Sequence, residues 1–254
     1  MGMTTHYDAV IIGAGHNGFV AGTYLARAGL RVLLVERRDI IGGACVTEEL
    51  FPGYRISSCS YICHLLQEKV INDLELPKHG FEVYHLEPGR FHPFPDGRYL
   101  VNWEDPHQTA EEISRYSSYD AQAYLDWSHF WERAGKLLHR YFLTPPPTYG
   151  EIMERVRGTE DEGLVETLLT RSMLDLVEDY FETDIVRAHT LSVQDIGDPR
   201  APGSPLCYAY IKANLFSAPG TVGIVKGGMG GITQAMARSA QAAGVEIRSE
   251  AEVA

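Results

Sequence analysis

Only four of the 254 residues are cysteine (Cys45, Cys59, Cys63 and Cys207), and their spacings match neither a zinc framework nor a CxxC redox pair. Buried free thiols in a reducing cytosol are the expectation for them. No apolar run approaches the roughly 18 residues that a membrane span needs. The first residues, Met1 to Tyr7, have neither a basic segment nor an apolar core, so no secretory signal is read there. They are also too few and too poor in arginine for a transit peptide, and the expected compartment is the cytoplasm. Positive charge is short: 22 Lys and Arg stand against 34 Asp and Glu, a net charge of −12, with no basic cluster to reverse it locally. That balance argues against nucleic acid as a partner. No GxSxG nucleophile turn is present. The ten histidines are scattered; His79, His85 and His92 come closest together, but their spacing suits no standard metal motif. No metal is expected, and no side chain stands out as catalytic.

What is present is glycine in particular places. Tyr7 to Ile12 is a short apolar run that reads as a buried strand. Gly13-Ala14-Gly15-His16-Asn17-Gly18 is a GxGxxG turn, and His16 to Ala28 has helical spacing, with Gly18, Ala21 and Gly22 predicted against a sheet. Gly29 stops that helix, and Leu30 to Val35 is a second strand ending at Glu36. Strand, helix and strand with short joints form a right-handed parallel crossover. In that context each glycine has a physical reason: Gly13 for the tight turn, Gly15 so that a pyrophosphate can approach the backbone, Gly18 so that helix and strand pack closely. The helix start offers free N–H groups and its positive end to phosphates. Glu36 is placed to accept hydrogen bonds from a ribose diol, and its charge argues against a 2′-phosphate. Arg37 and Arg38 argue weakly the other way. His16 stands where it can hydrogen-bond a phosphate or shape the site, but the favoured reading is a tolerated variable position, and it is not read as catalytic.

Further along, residues 51–62 read as extended about a Pro52-Gly53 turn, and Leu65 to Leu76 as a short helix. Phe81 to Trp103 reads as extended, with turns at Pro88-Gly89 and Asp96-Gly97. Gln108 to Phe142, Glu151 to Val156, Leu164 to Phe181 and Asp184 to Leu191 read as helical, and Asp198 to Pro205 as a loop. Alternation then returns: Val222 to Val225 as a strand, Gly227 to Gly231 as a turn, Ile232 to Ala243 as a helix, and Val245 onward as a strand still running at Ala254. The expected fold is α/β. A Rossmann-like dinucleotide-binding domain, residues 1–89 and 218–254, is interrupted by a mostly helical insertion, residues 90–217. Tyr124, Trp127 and Trp131 recur at helical spacing beside Phe130, a stripe that reads as core or, more sharply, as the wall of an apolar substrate tunnel.

The stretch Glu36-Arg37-Arg38-Asp39-Ile40-Ile41-Gly42-Gly43-Ala44 resembles the extended FAD fingerprint of the flavin amine oxidase and phytoene desaturase superfamily. Gly227-Gly228-Met229-Gly230-Gly231 resembles its second landmark. Gly43-Ala44-Cys45-Val46-Thr47-Glu48-Glu49, Asp73-Leu74-Glu75-Leu76 and Lys226-Gly227-Gly228-Met229-Gly230 are closest to its phytoene dehydrogenase-like branch, which includes proteins named for a pyridine nucleotide-disulphide oxidoreductase domain. The resemblance spans nearly the whole chain and is loosest in the helical middle. Members of the branch are about twice as long, so an N-terminal portion of a longer protein is expected.

The resemblance implies FAD, with Gly13, Ala14, Gly15, His16, Asn17 and Gly18 at the pyrophosphate, Glu36 and Arg37 at the adenosine end, Gly43 and Ala44 along the cofactor, and the Val253 backbone near the adenine. It does not imply dithiol chemistry: the position five after Cys45, where true disulphide reductases carry their second cysteine, is Leu50. The expected activity is an FAD-dependent oxidoreductase that takes a hydride from a C–H or C–N bond of an apolar small molecule, with an unidentified electron acceptor. Contact with a membrane surface through exposed apolar residues is compatible with such a substrate. Two rivals remain: a binding protein of the GDP-dissociation-inhibitor type, and a flavin-free NAD(P)-dependent reductase.

Overall fold

The computed structural model describes residues 6–191, 197–216 and 222–254. The chain divides into two compact units, Met1–His85 with Ala218–Ala254, and Leu86–Ser217.

In the first unit, the four-residue run Ala-Val-Ile-Ile forms β1 (Ala9–Ile12), followed by α1 (His16–Arg27) and by β2 (Val32–Val35), every residue of which is buried. β1 and β2 pair in parallel, Ala9 opposite Val32 through Ile12 opposite Val35. A third strand from the far end of the chain, β9 (Glu246–Arg248), adds in parallel to the other edge of β2. The order β1-β2-β9 makes β2 the centre of the sheet. β1 leaves Val10 56% and Ile12 69% exposed along its free side. The strand read as continuing to Ala254 ends at Arg248; beyond it, the backbone N–H groups of Glu250 and Ala251 donate to the carbonyls of Arg38 and Glu36, which carries the chain across the end of β2.

A hairpin of β3 (Thr47–Phe51) and β4 (Tyr54–Ser57) turns at Pro52-Gly53 as the sequence predicts. The segment 65–76 is a shorter helix than expected, α2 (Glu68–Asp73), followed by a 3-10 turn over Leu76–His79. Two short strands, β5 (Val83–His85) and β8 (Gly223–Val225), pair antiparallel, and α10 (Gly230–Ala242) leads from β8 to β9. The core of this unit gathers Phe19, Val32, Leu34, Leu74, Leu76, Ile232, Met236 and Val245. Burying side chains of this size stabilises by about 1.5–3 kcal/mol each. On α1 the inward residues are Phe19, Gly22 and Thr23, whereas Ala21, expected on that face, is exposed.

The second unit opens with the hairpin β6 (Arg90–Pro93) and β7 (Tyr99–Asn102). The helical stretch expected from Gln108 to Phe142 is two helices, α3 (Pro106–Ser114) and α4 (Ser118–His139), because Ser117 accepts the Asp120 N–H and restarts the chain. α5 spans Tyr149–Val156. The stretch 164–181 is likewise two helices, α6 (Glu162–Thr170) and α7 (Met173–Tyr180), parted by a capping box between Ser172 and Asp175. α8 is Asp184–Thr190. The stretch read as a Pro/Gly loop ends two residues sooner than expected, in α9 (Ser204–Asn214), where proline sits in the first turn, the one place a helix accepts it. The buried Asp120 carboxylate accepts from the backbone N–H groups of Glu182 and Thr183, which ties α4 to the start of α8. Tyr124, Trp127 and Trp131 are buried in this core, with Trp127 and Trp131 edge to face at 5.2 Å. Gly135 lets α4 and α9 approach closely: a Cβ there would lie 3.1 Å from the Lys212 backbone. Among the described residues, no helix is long and apolar enough to cross a membrane.

Candidate dinucleotide site

The turn between β1 and α1 uses three glycines for three different reasons. Gly13 has φ +100°, a region that side chains avoid, and its N–H donates to the Val35 carbonyl at 2.7 Å. A Cβ at Gly18 would lie 2.2 Å from the Gly13 carbonyl oxygen, so this position admits no side chain. Gly15 is different. Its backbone is extended (φ −86°, ψ 177°), and the nearest atom to an added Cβ is Gly43 Cα at 4.0 Å. Among the described residues, nothing requires glycine at position 15.

Gly15 is also the N-cap of α1, and no side chain caps this helix and no acid lies in its first turn. Its leading N–H groups are therefore available to an outside acceptor, at the end of the helix where an anion is favoured. His16 and Asn17, the first two helical residues, are exposed. His16 Nδ1 lies 3.9 Å from Cys45 Sγ.

Glu36, at the end of β2, is held from two sides. The Ala14 N–H donates to one carboxylate oxygen and the Arg38 N–H to the other, both at 3.0 Å. The acid is thus oriented by the glycine turn itself, and each oxygen retains a lone pair for another donor. Arg38 forms an ion pair with Glu48 on β3. A hydrogen bond from Ser58 and then the Arg38 pair hold the Glu48 carboxyl below the usual carboxylate range. Arg37 is exposed.

Gly42 and Gly43 lie directly on the turn. The Gly42 N–H donates to the Ala14 carbonyl at 2.8 Å, and Gly15 and Gly42 form an isolated parallel bridge. Gly42 (φ +132°) has no room for a side chain: a Cβ would sit 2.6 Å from the Cys45 carbonyl oxygen. Gly43 and Ala44 are exposed beside it. Val253 is 52% exposed, two residues beyond the Ala251 bond to Glu36. The structure thus brings the glycine turn, Glu36 and the Gly42-Gly43 pair together, while Arg37 and Val253 expose their side chains.

The second glycine landmark is closed. At the start of α10 the Gly230 N–H donates to Thr47 Oγ1 at 2.9 Å and the Met229 N–H to Ser57 Oγ at 3.0 Å. A Cβ at Gly228 would lie 2.4 Å from Thr47 Oγ1, and one at Gly230 would lie 2.8 Å from the Thr47 backbone nitrogen. These glycines seat α10 against the β3–β4 hairpin.

The cysteines are all free, but they are not uniformly buried as expected: Cys63 is buried and Cys45 half-buried, whereas Cys59 and Cys207 are exposed. Burial pushes the Cys63 thiol up to about 11 and the Cys45 thiol upward as well, which disfavours thiolate chemistry at either. Leu50 sits on β3 at the position where a disulphide reductase would carry its second cysteine.

A parallel β-α-β unit with an uncapped glycine turn and an acid at the end of its second strand defines a dinucleotide-binding Rossmann-like domain. Residues 11–74 match the model of the NAD(P)-binding Rossmann-like domain family. Over 98% of its length the chain is homologous to pyridine nucleotide-disulfide oxidoreductase domain-containing protein 2 of Rattus norvegicus, at 33% identity over 279 residues, and it covers 48% of that protein. A limonene dehydrogenase polypeptide of Castellaniella defragrans is 28% identical over 261 residues, with 97% of this chain and 45% of that protein covered. The chain therefore spans about half the length of the curated relatives it matches. Among solved structures, a redesigned putrescine oxidase superposes with a TM-score of 0.56 at 16% identity, covering 97% of this chain and 51% of that one. A Rab GDI from Plasmodium falciparum superposes with a TM-score of 0.56 at 12% identity, covering 98% and 59%. At these identities the superpositions speak to the fold alone.

Proposed function

We propose that this chain carries the dinucleotide site of an FAD-dependent oxidoreductase in its first unit and a substrate region in its second. Its reaction would remove a hydride from a C–H or C–N bond of an apolar small molecule. The observation that carries this reading is Gly15, a glycine with no internal reason to be one, at an uncapped helix start. A pyrophosphate would lie where its side chain would project, accepting from the first N–H groups of α1. Glu36, already oriented by Ala14 and Arg38, would accept from the adenosine ribose. Arg37, Gly43 and Ala44 flank the same opening, and Val253 follows the segment that crosses Glu36. When bound, the flavin supplies the hydride acceptor; the chain's own residues bind and orient it.

Two features support FAD over NADP: the carboxylate of Glu36 at the ribose position, and Arg38 already paired with Glu48. The limonene dehydrogenase relative supports an apolar substrate. The fold is equally close to a Rab GDI, but an intact turn with an oriented acid favours a cofactor-binding reading over that one. The test is a visible absorbance spectrum of the purified protein, with mass identification of whatever denaturation releases. A flavin spectrum with FAD released is the expected result. A colourless protein that does not take up added FAD, but is stabilised by NADH, would overturn the reading in favour of a flavin-free reductase.

A further inference from the structure

A small cavity of about 30 Å³ lies inside the second unit, where β6, β7, α4, α8 and α9 converge. That is room for about one or two waters, or for one ion of similar size. Its lining contains Arg90 from β6 and Lys212 from α9, and no aspartate or glutamate among the described residues. Two cations and no acid among the described lining residues are unexpected in a chain of net charge −12.

Two of the side chains that line it have unmet hydrogen-bonding capacity. Trp131 and His189 are each 2% exposed, and Trp131 Nε1 and His189 Nε2 are buried with no hydrogen-bond partner among the described residues. The indole N–H can only donate, so whatever meets it must accept. The other ring nitrogen of His189, Nδ1, lies 3.0 Å from Nδ1 of His92, so a single proton is shared between the two rings. Burial holds both imidazoles below their ordinary range, and each is neutral near pH 7. With His92 as the donor of that shared proton, His189 Nε2 carries its own proton and becomes a second donor. Tyr124 donates to Asn102 Oδ1 at 3.1 Å, and the amide nitrogen of this lining residue donates to the Trp103 carbonyl at 3.2 Å, so Asn102 is held in place by its own partners.

We propose that this cavity binds a small monovalent anion, chloride-sized or a planar oxyanion such as nitrate or formate, accepting from Trp131 Nε1 and His189 Nε2 between the charges of Arg90 and Lys212. Buried donors with no partner among the described residues, and the two cationic side chains beside them, are both satisfied by one such ligand. The site lies wholly within the second unit and does not depend on the dinucleotide reading.

The test follows the indole N–H resonances of the three tryptophans in 15N-labelled protein, with sodium gluconate as the background salt. Chloride, nitrate or formate is substituted for gluconate at constant ionic strength. One indole resonance should shift saturably with each of the three ions, and the thermal midpoint should rise with it. Lys212→Met, a change on a half-buried helix position, should weaken the apparent affinity at least tenfold while the other two indole resonances stay in place; Arg90→Met should do the same. Response to chloride alone would restrict the site to a halide, and response to all three would include carboxylates. The proposal is overturned if no indole resonance moves saturably in the parent protein, or if both variants titrate as the parent does.

Discussion

Two helices of the first unit begin at glycine-rich turns, and the two turns differ in what meets the helix. At α10 the hydroxyls of Thr47 and Ser57 accept the leading N–H groups, and Gly228 and Gly230 are glycine because Thr47 presses against them. At α1 no side chain caps the helix, and Gly15 has open space where its side chain would be. The same chemical pattern thus serves internal packing in one case and is left open to an external acceptor in the other. A glycine motif alone does not distinguish the two; what distinguishes them is whether an added Cβ would strike the protein.

The sharpest way to break this comparison is at a packing glycine within the open turn. Gly18→Ala places a Cβ 2.2 Å from a backbone oxygen and should destabilise the unit by several kcal/mol, about 3 or more, in urea unfolding. A near-neutral result would mean that the turn relaxes and that Gly18 is not a packing residue. Next in size, Glu36→Gln should weaken FAD binding about 10–100-fold, the scale of losing the charge from a charge-assisted hydrogen bond, with only a small change in the unfolding midpoint. Thr47→Val should do the reverse. Loss of one cap costs about 1 kcal/mol of stability and should leave FAD affinity unchanged; a variant that loses affinity without losing stability would move the second landmark into the binding site. The last test belongs to the second unit and reads a pH slope. His189 binds a proton near 6.5 when unfolded and only near 3 when folded, burial being the main cause. Between these values the unfolded state holds more protons, so stability should fall as pH falls from about 6.5 toward 3, by at most about 1.4 kcal/mol per pH unit. His189→Gln should flatten that slope, and an unchanged slope would assign it to other groups.

Much of the first unit was legible before any coordinates, since β1, α1 and β2 follow from an apolar run, a GxGxxG turn and a second apolar run. The turn role of Gly13 and the packing role of Gly18 were legible as well. What sequence reasoning missed were contacts between distant segments. The pairing of Arg38 with Glu48, the bond from Ala14 to Glu36, and the capping of α10 by Thr47 all join residues whose proximity is set by the fold rather than by spacing. In the second unit, the helix breaks at Ser117 and Ser172 had a signal in the serine followed three residues later by an acid, but unbroken helical periodicity on either side hid it. α9 was hidden by Pro205, read as a loop residue where it opens a helix. The aromatic stripe on α4 is core, and the polar cavity beside it left no mark in the sequence, because its residues come from five separate elements.

The most direct test of the central claim is to compare Gly15→Val with the parent protein in two measurements, FAD affinity by quenching of flavin fluorescence and stability by thermal melting. The extended backbone at position 15 accepts valine, so the variant should melt within a few degrees of the parent, while its isopropyl group occupies the pyrophosphate position and FAD affinity falls at least about 100-fold. Equal affinity in the two proteins, or no FAD binding by the parent at all, would contradict the assignment of the open turn as a dinucleotide site.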